Sequence, residues 1–323
     1  MIYENICFEG GGIHGYAYCG AIKALEELGL LSQIKRFSGA SVGALVATML
    51  SCGFTFKEIS TIPDVFLPAL EKITSQRSCG CGCAINPGAL TGLLTEYGMY
   101  EMTLLEKVIA KLLGQRVSLD VTLAVHHQIF KMELVIVACS LNRKTPVFFH
   151  HATYPNVTLK DALLASMAVP LFFKPRKIFF NRHMDYFVDG GLVQNYPLWV
   201  FNDLDLLYNG NIEAIPKHEI NSNTLGLKLY SPGEAHNYNV QTQRKSITNI
   251  LQFVKEVINT IHVQLERNQV SSSYLQQTIP IEVPQIHFLD FQPERELVDI
   301  LVKSGETAVF AYFKAQNEEV KAI

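Results

Sequence analysis

Within its first fifty residues the chain twice passes through the same three steps: a short apolar run, a glycine-rich turn and a helical stretch. The first passage is ICFEGGGIHGYAYCG, from Ile6 to Gly20, and the second turns on GASVG, from Gly39 to Gly43. Residues 3–9 are expected to form a buried strand and 16–28 a helix, because Ala17, Ala21, Ala24, Leu25 and Leu28 recur at the spacing of one helical face. Gly29 is placed to end that helix, since glycine enters the left-handed C′ conformation without strain. A second strand over about 34–38 enters the GASVG turn, and an apolar helix from Val42 to Leu50 follows it. Strands alternating with helices require a largely parallel sheet covered on both faces, so the chain reads as α/β.

The pattern continues downstream. Residues 55–75 are helical but interrupted by Pro63 and Pro68, and the Cys- and Gly-rich stretch 76–92 reads as a surface loop. A helix is expected from Thr103 to Leu113, ending at Gly114, then two β-rich runs, MELVIVACSL and TPVFFHHA. TLKDALLASMA is helical and stops before Pro170; YFVDGG ends another strand; TLGLKLYS and QIHFLDF read as strands. Two further helices are expected over roughly 246–268 and 294–314. With no internal repeat and no linker, residues 1–323 are read as one domain. Its motifs fall within 3–200, and the strands and helices of 200–323 complete the fold.

Composition removes several function classes. Hydrophobic residues at 48% against 18% charged place the chain among globular proteins rather than disordered ones. A net charge of −3 without a polybasic block argues against nucleic acid as a partner and against electrostatic capture by anionic membranes. Seven cysteines, mostly scattered, and an N-terminus without the basic flank of a signal peptide favour reduced thiols and a cytoplasmic location. The exception is Cys79, Cys81 and Cys83. No second cysteine pair or histidine stands at zinc-finger spacing from them, so a glycine-rich loop is preferred to a metal site. The apolar stretch Ala40 to Phe54 is too short for a membrane span and reads as a buried helix.

The two glycine turns carry the chemistry. GASVG matches G-x-S-x-G in the context of strand, sharp turn and helix, which projects the Ser41 hydroxyl from the apex. Gly39 and Gly43 keep the crossing backbones from clashing, and the helix that starts at Val42 aims its amides at the hydroxyl. Gly10, Gly12 and Gly15 spell G-x-G-x-x-G, the dinucleotide fingerprint. That reading needs an acidic residue near the end of the second strand for the ribose, where this chain has the serine turn instead. The alternative is an anion-binding concavity: Gly10, Gly11 and Gly12 expose peptide N–H groups, as an acyl-transfer nucleophile requires for its oxyanion. A serine also needs a base. None of the ten histidines sits in a distinctive motif, including the pairs His126-His127 and His150-His151. Asp189, at the end of a strand with Gly190 and Gly191 behind it, is the more telling residue, although Asp-Gly between β-like runs is also a hairpin turn.

Taken together, these motifs resemble the patatin-like phospholipases, lipid acyl hydrolases that use a Ser–Asp dyad. Gly10 to Gly15, Gly39 to Gly43 and Asp189 to Gly191 match the family's glycine loop, G-x-S-x-G elbow and D-G-[GA] in order. ALLASMAVPLFFKP, from Ala162 to Pro175, and GGLVQNYPL, with Asn195 and Pro197, resemble the flanking segments. The resemblance implies a patatin-like three-layer α/β/α sandwich with a mainly parallel central sheet. It also implies Ser41 as nucleophile, Asp189 as general base, and the amides of Gly10, Gly11 and Gly12 as oxyanion hole. The implied substrate is a phospholipid or other acyl-ester lipid met by transient contact with a membrane surface. No cofactor, no metal and, for want of a D-x-D-x-D-G loop, no calcium are implied. Position 14 departs from the family's Lys or Arg: His14 is expected either to supply a charge that titrates near neutral pH or merely to cap or pack the first turn. Two other readings remain open: a Ser-His-Asp esterase with a late histidine such as His262 or His287 as base, and a catalytically silent lipid-binding protein of the same fold. Thr61 to Ile73, Phe172-Phe173 and Phe179-Phe180 are candidates for lipid contact or for ordinary core.

Overall fold

The computed structural model describes residues 2–75, 87–180, 182–217, 219–231, 272–286 and 293–321, with scattered positions between 247 and 261. Its main sheet has the order β10-β9-β1-β2-β4-β8-β7, with β5 also paired to β4. The strands are β1 (Asn5–Phe8), β2 (Arg36–Ala40), β4 (Glu133–Ser140), β5 (Thr145–Phe149), β7 (Arg176–Phe180), β8 (His183–Asp189), β9 (Thr224–Tyr230) and β10 (Thr278–Glu282); β3 (Gly98–Tyr100) and β6 (Leu171–Phe173) form a small parallel pair. From β10 to β4 every pairing is parallel, and β5, β8 and β7 join antiparallel.

Alternation along the strands builds two cores. Ile6 and Phe8, with Leu134, Ile136 and Ala138, face one apolar cluster, while Cys7, Val135 and Val137 face another with Tyr196, Leu198 and Trp199. A strand that is buried on both faces has to be apolar throughout, which is why ELVIVACS lacks a polar alternation. Helices α1 (Ala17–Glu27), α2 (Val42–Ser51), α3 (Phe56–Ile59), α4 (Ile62–Ser75), α5 (Pro87–Glu96), α6 (Thr103–Leu113), α7 (Leu123–Phe130), α8 (Leu159–Ser166), α9 (Leu204–Tyr208), α10 (Ser272–Gln276) and α11 (Arg295–Lys321) cover the sheet. The result is a three-layer α/β/α sandwich.

The C-terminal third is built into this frame. β9 lies beside β1, and α11 crosses α1 so closely that a Cβ on Gly20 would sit 1.7 Å from the Val302 carbonyl oxygen. The described sheet edge is β10. Residues 287–292, with most of the strand expected over QIHFLDF, lie outside the described residues, as do most of the expected helix 246–268 and Cys79, Cys81 and Cys83. Pro63 falls in the first turn of α4, where a missing N–H is harmless, and Pro68 is carried inside the helix. Leu28, expected on the buried face of α1, is 42% exposed because the helix ends one residue earlier.

Candidate active site

The register of β4 brings the two distant motifs together. Val137 pairs with Ala40 of β2 and Phe148 of β5, whereas Ala138 pairs with Val147 of β5 and Asp189 of β8. A strand has two edges, and β5 occupies one of them at both positions. β2 and β8 must therefore share the other edge end to end. β2 finishes at Ala40 just where β8, running the opposite way, finishes at Asp189, and Ser41 emerges at that seam.

Local backbone geometry then aims each group. Ser41 has φ 53° and ψ −126°, a strained conformation for a residue with a Cβ, and it caps the N-terminus of α2. The turn is as tight as the GASVG spacing requires: a Cβ on Gly39 would lie 2.4 Å from the Gly43 carbonyl carbon, and one on Gly43 would lie 2.5 Å from the Phe8 oxygen. Asp189 does not enter a hairpin. It caps a 3-10 turn over Gly190–Leu192, accepting the Gly191 N–H at 2.7 Å, while its own N–H donates to the Ala168 carbonyl at 2.9 Å. Burial pushes the Asp189 carboxyl up to about 6, against the opposing pull of hydrogen bonds from the Ser41 side chain and the Gly191 amide.

Ser166, near the end of α8 and fully buried, closes the seam. The Ser41 N–H donates to Ser166 Oγ at 2.8 Å, and the Ser166 hydroxyl donates to the Val137 carbonyl at 2.6 Å. Ser166 lies within the segment Ala162 to Pro175 but was not legible there as part of the site. A lone serine in a helix carries no signal of a partner 125 positions away.

The glycine loop follows β1 and leads into a 3-10 turn over Gly12–Tyr16. Gly12 has φ 54°, in the region that favours glycine, and Gly15 packs against Val42 of α2. One expectation is corrected here. The Gly10 N–H is already given to the Asn195 carbonyl at 3.2 Å, and Asn195 Nδ2 donates back to the Gly10 oxygen at 3.0 Å. Gly10 is thus a clamped strand end rather than a free donor. Among the described residues, no protein acceptor faces the amides of Gly11 and Gly12. Just before the loop, Glu9 is buried in an ion pair with Lys228 at 2.5 Å and accepts the Leu229 N–H at 2.8 Å, tying β1 to β9.

His14 does not supply a charge near neutrality. Burial pushes its imidazole down to about 4, outweighing a backbone hydrogen bond at Ile286, and Nε2 has no partner in the described structure. The packing alternative for this residue fits instead. Other histidines are engaged elsewhere: His126 Nε2 meets Ser51 Oγ at 3.0 Å, and His150 and His151 gather on Glu133. His262 and His287 lie outside the described residues. Of the apolar candidates, Phe172 and Phe173 are core, as are Ile62, Phe66, Leu70 and Ile73, while Phe179 is 68% exposed.

A three-layer sandwich with a strained serine at a strand-to-helix elbow and a glycine loop beside it defines a serine-type ester hydrolase. Residues 6–202 match the family described as patatin-like phospholipase, and the chain belongs to that family of lipid acyl hydrolases. It is 24% identical to the Bacillus subtilis uncharacterized protein YqhO over 97% of this chain and 99% of that one. It is 26% identical to the Acanthamoeba polyphaga mimivirus uncharacterized protein R571, covering 95% of this chain and 92% of that one. Among solved structures, VipD from Legionella pneumophila shares the fold with a TM-score of 0.56 and 17% identity, over 98% of this chain and 67% of VipD. No helix among the described residues is long and apolar enough to cross a membrane.

Proposed function

We propose that residues 1–323 form one catalytic domain in which Ser41 and Asp189 hydrolyse acyl esters of membrane lipids. The observation that supports this reading is the end-to-end meeting of β2 and β8 on one edge of β4, with the buried Asp189 at the seam from which Ser41 emerges.

In the proposed reaction the Ser41 hydroxyl attacks the ester carbonyl as Asp189 takes its proton. An aspartate near its ordinary pKa would be a feeble base; one raised to about 6 is ionised at neutral pH yet far readier to accept a proton. The amides of Gly11 and Gly12, with the N-terminus of α2, receive the negative charge of the tetrahedral intermediate. Asp189 returns the proton to the leaving alcohol. It then activates a water that releases the fatty acid and restores Ser41.

Contact with a membrane surface has support beside the seam. Leu171 follows the turn whose Ala168 carbonyl binds the Asp189 N–H, and it pairs with Gly98 next to Tyr97. Leu90 and Leu94 of α5 and Tyr97, just after it, are 47%, 72% and 57% exposed. These exposed apolar side chains support contact of this face with a lipid surface.

The test is labelling by a fluorophosphonate probe together with hydrolysis of a panel of phospholipids and neutral lipids. Both are expected in the wild type and neither in Ser41→Ala or, for hydrolysis, Asp189→Asn. Turnover retained by Asp189→Asn would remove the dyad and return a histidine base to consideration. Absent labelling of the folded wild type would favour the lipid-binding alternative.

A further inference from the structure

The histidine pairs that the active site leaves unused converge at the other end of β4. Glu133 opens that strand, four residues before the seam at Val137, or about 13 Å along it. His150 Nε2 lies 2.7 Å and His151 Nε2 2.9 Å from Glu133 Oε2, while the Tyr208 hydroxyl donates to Oε1 at 3.1 Å. His127, near the end of α7, lies flat against His151 with ring centroids 3.8 Å apart and planes 5° from parallel. One ligand atom from each of His127, Glu133 and His151 falls within 4.8 Å of the others. All three side chains are half-buried, so an ion can reach them.

We propose that His127, Glu133 and His151 form a binding site for a zinc-class divalent cation, with His150 and Tyr208 orienting the carboxylate. Two imidazoles and one carboxylate are a donor set that suits zinc, with a fourth position left for water. Glu133 and His127 also have outer partners of the kind such sites use, His150 and Tyr208 for the carboxylate and the Met132 carbonyl for His127. His127 Nδ1 lies 3.0 Å from the Met132 carbonyl and 3.7 Å from Glu133 Oε1, and donation to the carbonyl leaves the lone pair on Nε2; one of the two stacked rings must turn for both imidazoles to meet the same ion. The ion would tie α7, the start of β4 and the segment after β5 into one node, remote from the hydrolytic seam. No spaced motif announces the site, because His151 comes from the segment after β5 and meets His127 and Glu133 only in the fold.

The experiment uses the full chain stripped by a chelator, then dialysed against Zn²⁺ alone, with Co²⁺ as a spectroscopic probe. The expected results are one Zn²⁺ per chain, a rise in Tm that the chelator reverses, and Co²⁺ d–d bands without thiolate charge transfer. Binding should vanish in His127→Gln/His151→Gln and persist in Cys79→Ser/Cys81→Ser/Cys83→Ser. Tyr208→Phe, which keeps every ligand, should weaken binding by about 10–100-fold. Should the double variant fail to fold, the Tyr208→Phe affinity and the wild-type Co²⁺ spectrum still decide the matter. No stoichiometric Zn²⁺, thiolate charge transfer, or unchanged binding in the histidine variant would each overturn the site.

Discussion

Replacing Asp189 with asparagine should make the protein inactive and, above neutral pH, more stable. The carboxyl is raised from 3.8 to about 6 chiefly by burial, so folding favours its protonated form. That preference is complete below about pH 4 and lost as pH rises through about 6, where the wild type bears the whole cost of a buried anion. At 1.36 kcal/mol per pH interval of one, the gap corresponds to about 3 kcal/mol. Asparagine stays neutral throughout and retains an oxygen to accept the Gly191 N–H. The stability of Asp189→Asn relative to wild type should therefore climb by about 3 kcal/mol between pH 3.5 and pH 8. Urea unfolding followed by the fluorescence of Trp199, the single and buried tryptophan, measures it. The wild-type rate should rise over the same interval as the base ionises, with an inflection near pH 6. A stability difference that stays flat with pH would refute the reasoning, since the carboxylate would then be hydrated and no better a base than a free aspartate.

Other perturbations probe the parts that hold the seam. Ser166→Ala strands the Ser41 N–H without its acceptor, which should cost about 1–3 kcal/mol in stability; the displaced nucleophile should lower kcat by about 10–100-fold with a smaller change in KM, read by steady-state kinetics on a soluble ester. In Gly190→Ala a Cβ would come within 2.4 Å of the Val137 carbonyl oxygen, so the strand ends must part; a loss of about 1–3 kcal/mol in urea titration and of most turnover is expected. Because burial holds His14 near 4, His14→Gln should leave the shape of the rate profile between pH 6 and 8 unchanged, and a missing inflection would contradict this. Leu94→Glu should reduce hydrolysis of vesicle lipid at least severalfold while sparing a soluble ester, and equal loss on both substrates would remove this face from membrane contact.

Much of the fold was legible because its signals are local. The apolar run of β4, the small-residue face of α1 and the GASVG elbow each state their conformation within a dozen residues, through burial, periodicity and steric necessity. The helix ending at Leu113 and the elbow helix beginning at Val42 fall where the sequence placed them. The strand TIPIE was not singled out by its sequence; it takes its place because β9 offers its free side to the residues that follow α10.

The site divides in the same way. Sequence alone determined the serine turn, the glycine loop and the presence of an Asp-Gly-Gly strand end, since each depends on what a backbone can do within a few residues. Only the tertiary structure decided that β2 and β8 abut on β4, that Ser166 bridges them, that Asn195 takes the Gly10 amide, and that His14 is desolvated and neutral. Those outcomes depend on register and desolvation, which arise when segments far apart in the chain exclude water together.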